Sequence, residues 1–307
     1  MKKQAHTNEP NFSSLLDVVK RFPTEASCRE YLKKIRWNDQ PVCVHCGSMG
    51  KIYRMGDGKT LKCSDCRKQF SVKIGTIFED SPLPLQKWFF AMFLVTAHKK
   101  GVSSLQLSRD IQVTQKTAWF MLHRIRFAIQ TESFKAPLKN TVEADETYIG
   151  GKNRGGKRGR GSENKTPVFG MIERKGKLKV MPVGKVDSKT LCSIIDENVE
   201  KGATMMTDDW KAYGKLSERY LHHIVHHGQK EYVRGGDIHV NTLEGFWSLL
   251  KRGILGIYHQ ISTKHLHRYC EEFEYRYNTR GNQDAERFQD TMTKCEGRLM
   301  YKTLIGA

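Results

Sequence analysis

Two cysteine pairs at matched spacing constrain this chain more than any other feature. CVHCGS sets Cys43 and Cys46 in one knuckle, CSDC sets Cys63 and Cys66 in another, and the β-prone stretches KIYRM and TLKC lie between them. Each C-x2-C turn presents two thiolates at once, and two such turns complete a tetrahedral site, so the spacing predicts a zinc ribbon. A redox dithiol is disfavoured, because there are two matched pairs and no thioredoxin-like surroundings. His45 lies inside the first knuckle and has the right chemistry for a ligand, yet four thiolates already fill the shell. A closed four-cysteine shell leaves no position for substrate, which makes the expected Zn2+ structural. The other cysteines, Cys28, Cys192, Cys270 and Cys295, are scattered and read as small buried hydrophobes, not as a secreted disulfide framework.

Charge narrows the class of partner. Lysine and arginine total 52 against 33 acidic residues, a formal net charge of +19 on 307 residues. Such a field favours a polyanion, nucleic acid ahead of an anionic membrane surface. MKKQAHTNEPNFSS has no apolar segment behind its basic residues, and WFFAMFLVTA at 88–97 is too short to span a bilayer. Both observations predict a soluble, intracellular protein. The length suits two or three domains, and 38% hydrophobic residues supply at least one proper core.

The amino-terminal third reads as helical around the ribbon. FSSLLDVVKRF and TEASCREYLKKIRW are two helices with Pro23 between them and Thr24 as N-cap, and LQKWFFAMFLVTAHK is a mostly buried third. In SSLQLSRDIQVTQKTAWFMLHRIRFAIQ a short helix breaks at Gln112–Thr114, and a longer one follows with Trp119, Leu122, Ile125 and Ile129 as its apolar stripe. That is helix-turn-helix geometry, in which Thr114, Gln115, Lys116 and Thr117 would reach base edges. A helical hairpin that only packs is the alternative.

After Pro137 the texture turns β-rich. TVEADETYI alternates like a strand and carries Glu143, Asp145 and Glu146; PVFGMIER and KLKVMPVGKV follow as strands. SKTLCSIIDENVEK reads as a helix, ATMMTDDWKAY as a buried strand ending at Asp208 and Asp209 before another helix, and HHIVHHG as a last short strand. HVNTLEGFWSLLKRG is then an amphipathic helix, with Asn241, Glu244, Ser248 and Lys251 on one side and Leu243, Phe246, Trp247, Leu250 and Ile254 on the other. Asn241 and Glu244 also fit a capping box, an ordinary structural use for both. Three antiparallel strands, then helix, strand, helix, strand and helix, is the order of a ribonuclease-H-like fold. That order brings an acid on the first strand, one ending the fourth and one on a late helix together; Asp145, Asp208 and Glu244 hold those places. With them accounted for, Glu244 reads as a metal ligand, and Asn241 is left to cap the helix alone.

The chain resembles the DDE transposases of bacterial insertion sequences, in the zinc-ribbon group called the IS-fifteen-ninety-five type. RFPTEASCREYLKKIRW, the two knuckles, VEADETYIGGK, TDDWKAY, HVNTLEGFWSLLKRGI and HLHRYCEEFEYRYNTR carry the resemblance over nearly the whole length. It implies an enzyme that binds the terminal inverted repeats of its element and cuts and joins DNA ends with two Mg2+ or Mn2+ ions. Asp145 would bridge the ions, Asp208 and Glu244 would hold one each, and Lys251 would contact phosphate near the reacting end. Some members of that family carry Asn in place of the third acid; the seven-residue spacing to Lys251 selects Glu244 over Asn241. A solvated surface lysine is the plain alternative for Lys251. Asp208 is preferred to Asp209, which is free to cap the next helix.

Two further groups complete the reading. GGKNRGGKRGRGSENK offers Lys152, Arg154, Lys157, Arg158 and Arg160 as a group that moulds to a phosphate backbone, or else a disordered basic loop. His222, His223, His226 and His227 alternate in a strand and are read as structural. The expected architecture is therefore α+β multidomain: helices and ribbon at 1–80, helix-turn-helix at 81–136, a catalytic domain with a mixed five-stranded sheet at 137–290 and a tail at 291–307. The expected partners are transposon-end and target DNA and further copies of the chain, in a bacterial, nucleoid-associated setting. A non-catalytic DNA-binding regulator descended from a transposase is the competing function, and a nuclease without strand transfer a third.

Overall fold

Short polar side chains start the first helices. The Ser14 hydroxyl accepts from the Asp17 N–H at the head of α1 (Leu15–Arg21), and Thr24 and Ser27 form a reciprocal capping box on α2 (Glu25–Trp37). The computed structural model describes residues 12–130, 136–150, 165–226, 233 and 237–306. Two units make up the chain, one of residues 1–131 with 281–307 and one of residues 132–280.

In the first unit a three-stranded antiparallel sheet, β1 (Ile52–Arg54), β2 (Thr60–Cys63) and β3 (Gln69–Ser71) in that order, forms the ribbon. Leu61, Cys63, Phe70 and Cys43 make its small core. α3 (Leu85–Ala97) is buried along most of its length, as its apolar composition requires. Among the described residues no helix is long and apolar enough to cross a membrane. α4 (Ser104–Asp110) and α5 (Gln115–Ile129) follow, with Gln112 at φ 52° in the turn between them.

The second unit is built on one mixed sheet. Its strands are β4 (Thr141–Gly150), β5 (Lys165–Glu173), β6 (Leu178–Pro182), β7 (Thr204–Asp208) and β8 (Leu221–Val225). Their order is β6-β5-β4-β7-β8, with β4, β5 and β6 antiparallel and β4, β7 and β8 parallel. Order and directions are those expected of a ribonuclease-H-like sheet. α6 (Ser188–Asn198) covers one face, where Leu191 and Ile195 meet Val142, Ala144 and Met205. α7 (Asn241–Gly253) and α8 (Leu266–Asn278) cover the other, where Leu243, Phe246, Trp247 and Phe273 meet Val168 and Ile172. The helix expected between β7 and β8 is instead two 3-10 turns, Lys211–Tyr213 and Leu216–Glu218. Gly214 splits that short connection, leaving too little sequence on either side for an α-helix.

α8 also closes the β6 edge. Asn278 accepts from the Leu178 N–H at 2.7 Å and donates to the Leu178 carbonyl at 2.8 Å, while Glu274 accepts from the Val180 N–H at 2.9 Å. α9 (Asp284–Thr293) and α10 (Tyr301–Ile305) belong to the first unit, with Ala285, Phe288 and Met292 in the same core as Phe22, Phe89 and Val95. Residues 281–290, read from the sequence as the end of the catalytic domain, thus pack with the amino-terminal helices, because Phe288 completes an aromatic cluster there.

Candidate functional site

The four cysteines of the ribbon meet at one point. Cys43 and Cys66 have their sulfurs 3.6 Å apart, Cys46 and Cys63 3.8 Å, and all four sulfurs lie within 4.8 Å of one another. Each knuckle turns back through a left-handed residue just after its second cysteine, Gly47 at φ 73° and Arg67 at φ 58°. Burial opposes ionisation of Cys43, but the N–H groups of His45 and Cys46 with the Cys46 and Cys66 thiols outweigh it and draw that thiol down to about 6, while the same thiol contacts push Cys46 up to about 12. His45 faces away from a ligand role and donates to the Gln69 carbonyl at 3.1 Å. Four converging sulfurs, one already acidic, match the demands of tetrahedral Zn2+.

The acids of the second unit are gathered by register. β4 and β7 run parallel with Val142 beside Met205 and Glu143 beside Met206; continued by two residues, the same register sets Asp145 beside Asp208. Asp145 is partly exposed and accepts from the Trp247 indole N–H at 2.9 Å, which ties it to α7. Burial first, then the charges of Glu146 and Asp208, push the Asp145 carboxyl up to about 7. Glu146 points to the other face, where the buried Tyr213 hydroxyl donates to it at 2.8 Å.

Glu244 and Lys251 are exposed on α7. At 100° per residue they lie about 60° and about 40° round the helix from Trp247, on the flank of the residue that holds Asp145. Asp145, Asp208 and Glu244 are not drawn into so tight a group as the cysteines, whose 4.8 Å cluster is the one formed by three or more such side chains among the described residues. Carboxylate oxygens on neighbouring strands and a facing helix, one with its proton affinity raised first by burial and then by the charges of Glu146 and Asp208, suit a hard divalent cation such as Mg2+ or Mn2+.

Comparison with known proteins follows this division. Residues 137–278 match the model of the ISXO2-like transposase domain and residues 23–69 that of the transposase zinc-ribbon domain. An uncharacterized protein in transposable element ISH50 of Halobacterium salinarum is 31% identical over 278 residues, covering 84% of this chain and 92% of the relative. The chain belongs to the ISXO2-like transposase family. Solved structures of the Mos1 strand transfer complex and of the Mos1 mariner paired end complex with Mn are 12% and 13% identical, cover 63% of this chain and 70% and 71% of theirs, and have TM-scores of 0.28. A likeness of that size carries no argument.

Several sequence-nominated residues of this transposase family member have different partners from those expected. α7 has Val240 at its N-cap with no side-chain cap bond, so Asn241 does not cap it and no capping box with Glu244 forms. The cap comes from the sheet: Glu143 accepts from the Leu243 N–H at 3.0 Å and from the Thr242 hydroxyl at 2.8 Å. Asp209 caps no helix either; Asp208 accepts from the Trp210 N–H at 3.0 Å, and Asp209 faces His226 at 3.6 Å. His222 bonds the Thr207 hydroxyl at 2.9 Å. At the start of α5, Thr114 caps the helix through the Thr117 N–H, Gln115 donates to Ser104 at 2.8 Å, and Lys116 lies 5.1 Å over the Tyr301 ring. Lys152, Arg154, Lys157, Arg158, Arg160 and His227 lie outside the described residues.

Glu143 and Trp247 are given no role at the site by their sequence surroundings, and Gly170 is not marked out at all. Gly170 pairs with Asp145 across β5, and a Cβ there would come within 2.6 Å of the Trp247 ring. A glycine inside a strand, opposite an acid, was the available signal that another group approaches closely.

Proposed function

We propose that this transposase family member is a working enzyme that cuts and joins DNA ends, with Asp145, Asp208 and Glu244 as the ligands of divalent metal. The observation that carries the reading is the shared register of Asp145 and Asp208 on adjacent parallel strands, with α7 bonded to the first of them. When bound, a pair of Mg2+ or Mn2+ ions supplies Lewis-acid activation of the scissile phosphate and of the attacking hydroxyl or water. The chain's own part is to hold three carboxylates without reorganisation. Trp247 fixes the orientation of Asp145, the strand ladder fixes Asp208, and Lys251 offers a cation to phosphate from the flank shared with Glu244.

DNA is held by the +19 charge and by the exposed Gln115 and Lys116 at the head of α5; Thr114 and Thr117 shape that helix start. Lys152, Arg154, Lys157, Arg158 and Arg160 add a sequence-independent grip on phosphate. Zinc at Cys43, Cys46, Cys63 and Cys66 keeps the ribbon folded. The substrate is the terminal inverted repeats of an insertion sequence, and pairing two ends calls for at least two copies of the chain.

The test is incubation of zinc-loaded protein with labelled DNA carrying the repeats that flank its gene. Mg2+-dependent nicking at the repeat ends, followed by joining to a second DNA, is the expected result. Binding with no nicking in Mg2+ or Mn2+ would leave a regulator, and nicking with no joining a plain nuclease.

A further inference from the structure

Glu143, one of the two acids on β4 that the proposed chemistry does not use, is bonded through both of its oxygens. Glu143 is fully buried. One of its oxygens takes the Arg174 Nε–H at 2.8 Å and the Thr242 hydroxyl at 2.8 Å and lies 3.4 Å from His239 Nδ1; the other takes the Leu243 N–H at 3.0 Å. Arg174 in turn donates to the carbonyls of Asp237 and His239 at 2.6 and 2.8 Å, holding the chain as it enters α7. An anion at a helix N-terminus is also favoured by the helix dipole. One side chain thus anchors both the first turn of α7 and the segment that leads into it.

Its position gives this anchor a purpose. Glu143 and Asp145 are two residues apart on one strand and point to the same face, about 7 Å apart along β4. Glu244 follows Leu243, whose N–H is bound to Glu143. In sequence β8 ends at Val225 and α7 begins at Asn241. Through Glu143 the third acid is referred to the strand that carries the first, by two hydrogen bonds and no intervening loop.

We propose that Glu143, clamped by Arg174, is a positioning residue that sets Glu244 against Asp145 for metal binding. The inference rests on the two-metal reading above. Glu143 itself touches no reacting group: its buried oxygens are taken up by protein donors, and its effect passes through α7.

The experiment is a Mn2+ titration of the full-length zinc-loaded protein followed by electron paramagnetic resonance, run beside single-turnover nicking at saturating DNA. E143Q keeps the shape but puts an amide before donors that need an acceptor. Mn2+ affinity is expected to fall at least about tenfold, as for other groups that orient metal ligands, with end-DNA affinity unchanged. Thr242→Val removes one donor and leaves the Arg174 pair, and is expected to weaken Mn2+ by about two- to fivefold, which keeps the question decidable if E143Q does not fold. Wild-type Mn2+ affinity in both variants, even with a lower melting temperature, would make Glu143 a purely structural cap and overturn the proposal. If the wild type binds Mn2+ but nicks no DNA, the enzymatic reading falls and the metal-positioning role of Glu143 is still decided by the Mn2+ affinities. Absence of Mn2+ binding by the wild type would overturn both.

Discussion

The ribbon and the proposed carboxylate site gather like-charged side chains in opposite ways. The ribbon draws its ligands from positions 43 to 66 and closes them with two short turns, each ended by a left-handed residue. The acids come from positions 145 to 244 and are aligned by a strand ladder, a buried glutamate and an indole bond. A closed site needs only local backbone geometry. An open one, which must leave room for substrate, has to borrow its rigidity from the surrounding fold.

Zinc removal should separate the two most sharply. Structural zinc contributes on the order of 10 kcal/mol or more to the folding of such small modules. Hydrogen exchange after chelation should therefore show loss of protection over residues 43–71 and none over β4 to β8. Protection that survives chelation in the ribbon, or fails in the sheet as well, would break the contrast.

Asp145→Asn acts on the other site. The amide can still accept from Trp247, so the sheet should stay folded, while metal-dependent nicking should fall by roughly a thousandfold or more, several kcal/mol of lost metal assistance. Cleavage near the wild-type rate would remove Asp145 from the site.

Without metal, pH should unsettle the sheet unit. Asp145 and Glu274 both titrate near 7 when folded, each raised first by burial, from ordinary values of 3.8 and 4.5. Between those limits the folded chain holds more protons than the unfolded one, so stability is greatest at the acid end and declines as pH rises through 7. Each group contributes at most a few kcal/mol. Urea midpoints in chelator should drop between pH 5 and 8, and Asp145→Asn or Glu274→Gln should each flatten the trend; a rise over that range would refute it.

The smallest effects come from one substitution made at both sites. Gly170→Ala drives a methyl into the Trp247 ring and should cost about 1 to 3 kcal/mol, measured as a shift in the unfolding midpoint of the sheet unit. Gly47→Ala meets nothing within 4 Å, but must hold a φ of 73°, which should cost about 1 to 2 kcal/mol in the zinc-loaded ribbon. Equal and negligible costs would mean that neither glycine is set by its site.

What could be read from the residues follows the same contrast. Cys43, Cys46, Cys63 and Cys66, the Thr24 cap, the five strands of one mixed sheet and the elements bearing Asp145, Asp208 and Glu244 were legible, because each is written in neighbouring residues or in the order of elements. The cap of α7 was not, because its acceptor lies 100 residues upstream on β4. Local spacing offered Asn241 and Glu244 instead, and nothing local told of Glu143. Trp247 read as one more apolar residue, since its bond to Asp145 depends on the space left by Gly170. The 3-10 turns between β7 and β8 were hidden by a sequence that looks helical on both sides of Gly214.

A strand at the end of a sheet invites pairing with another chain, and on the β6 side that invitation is withdrawn. The outward N–H groups of Leu178 and Val180 are already taken by Asn278 and Glu274. A second chain cannot add a strand there unless α8 first lets go, so the outer edge of β6 stays closed to sheet-to-sheet fusion for as long as α8 is packed.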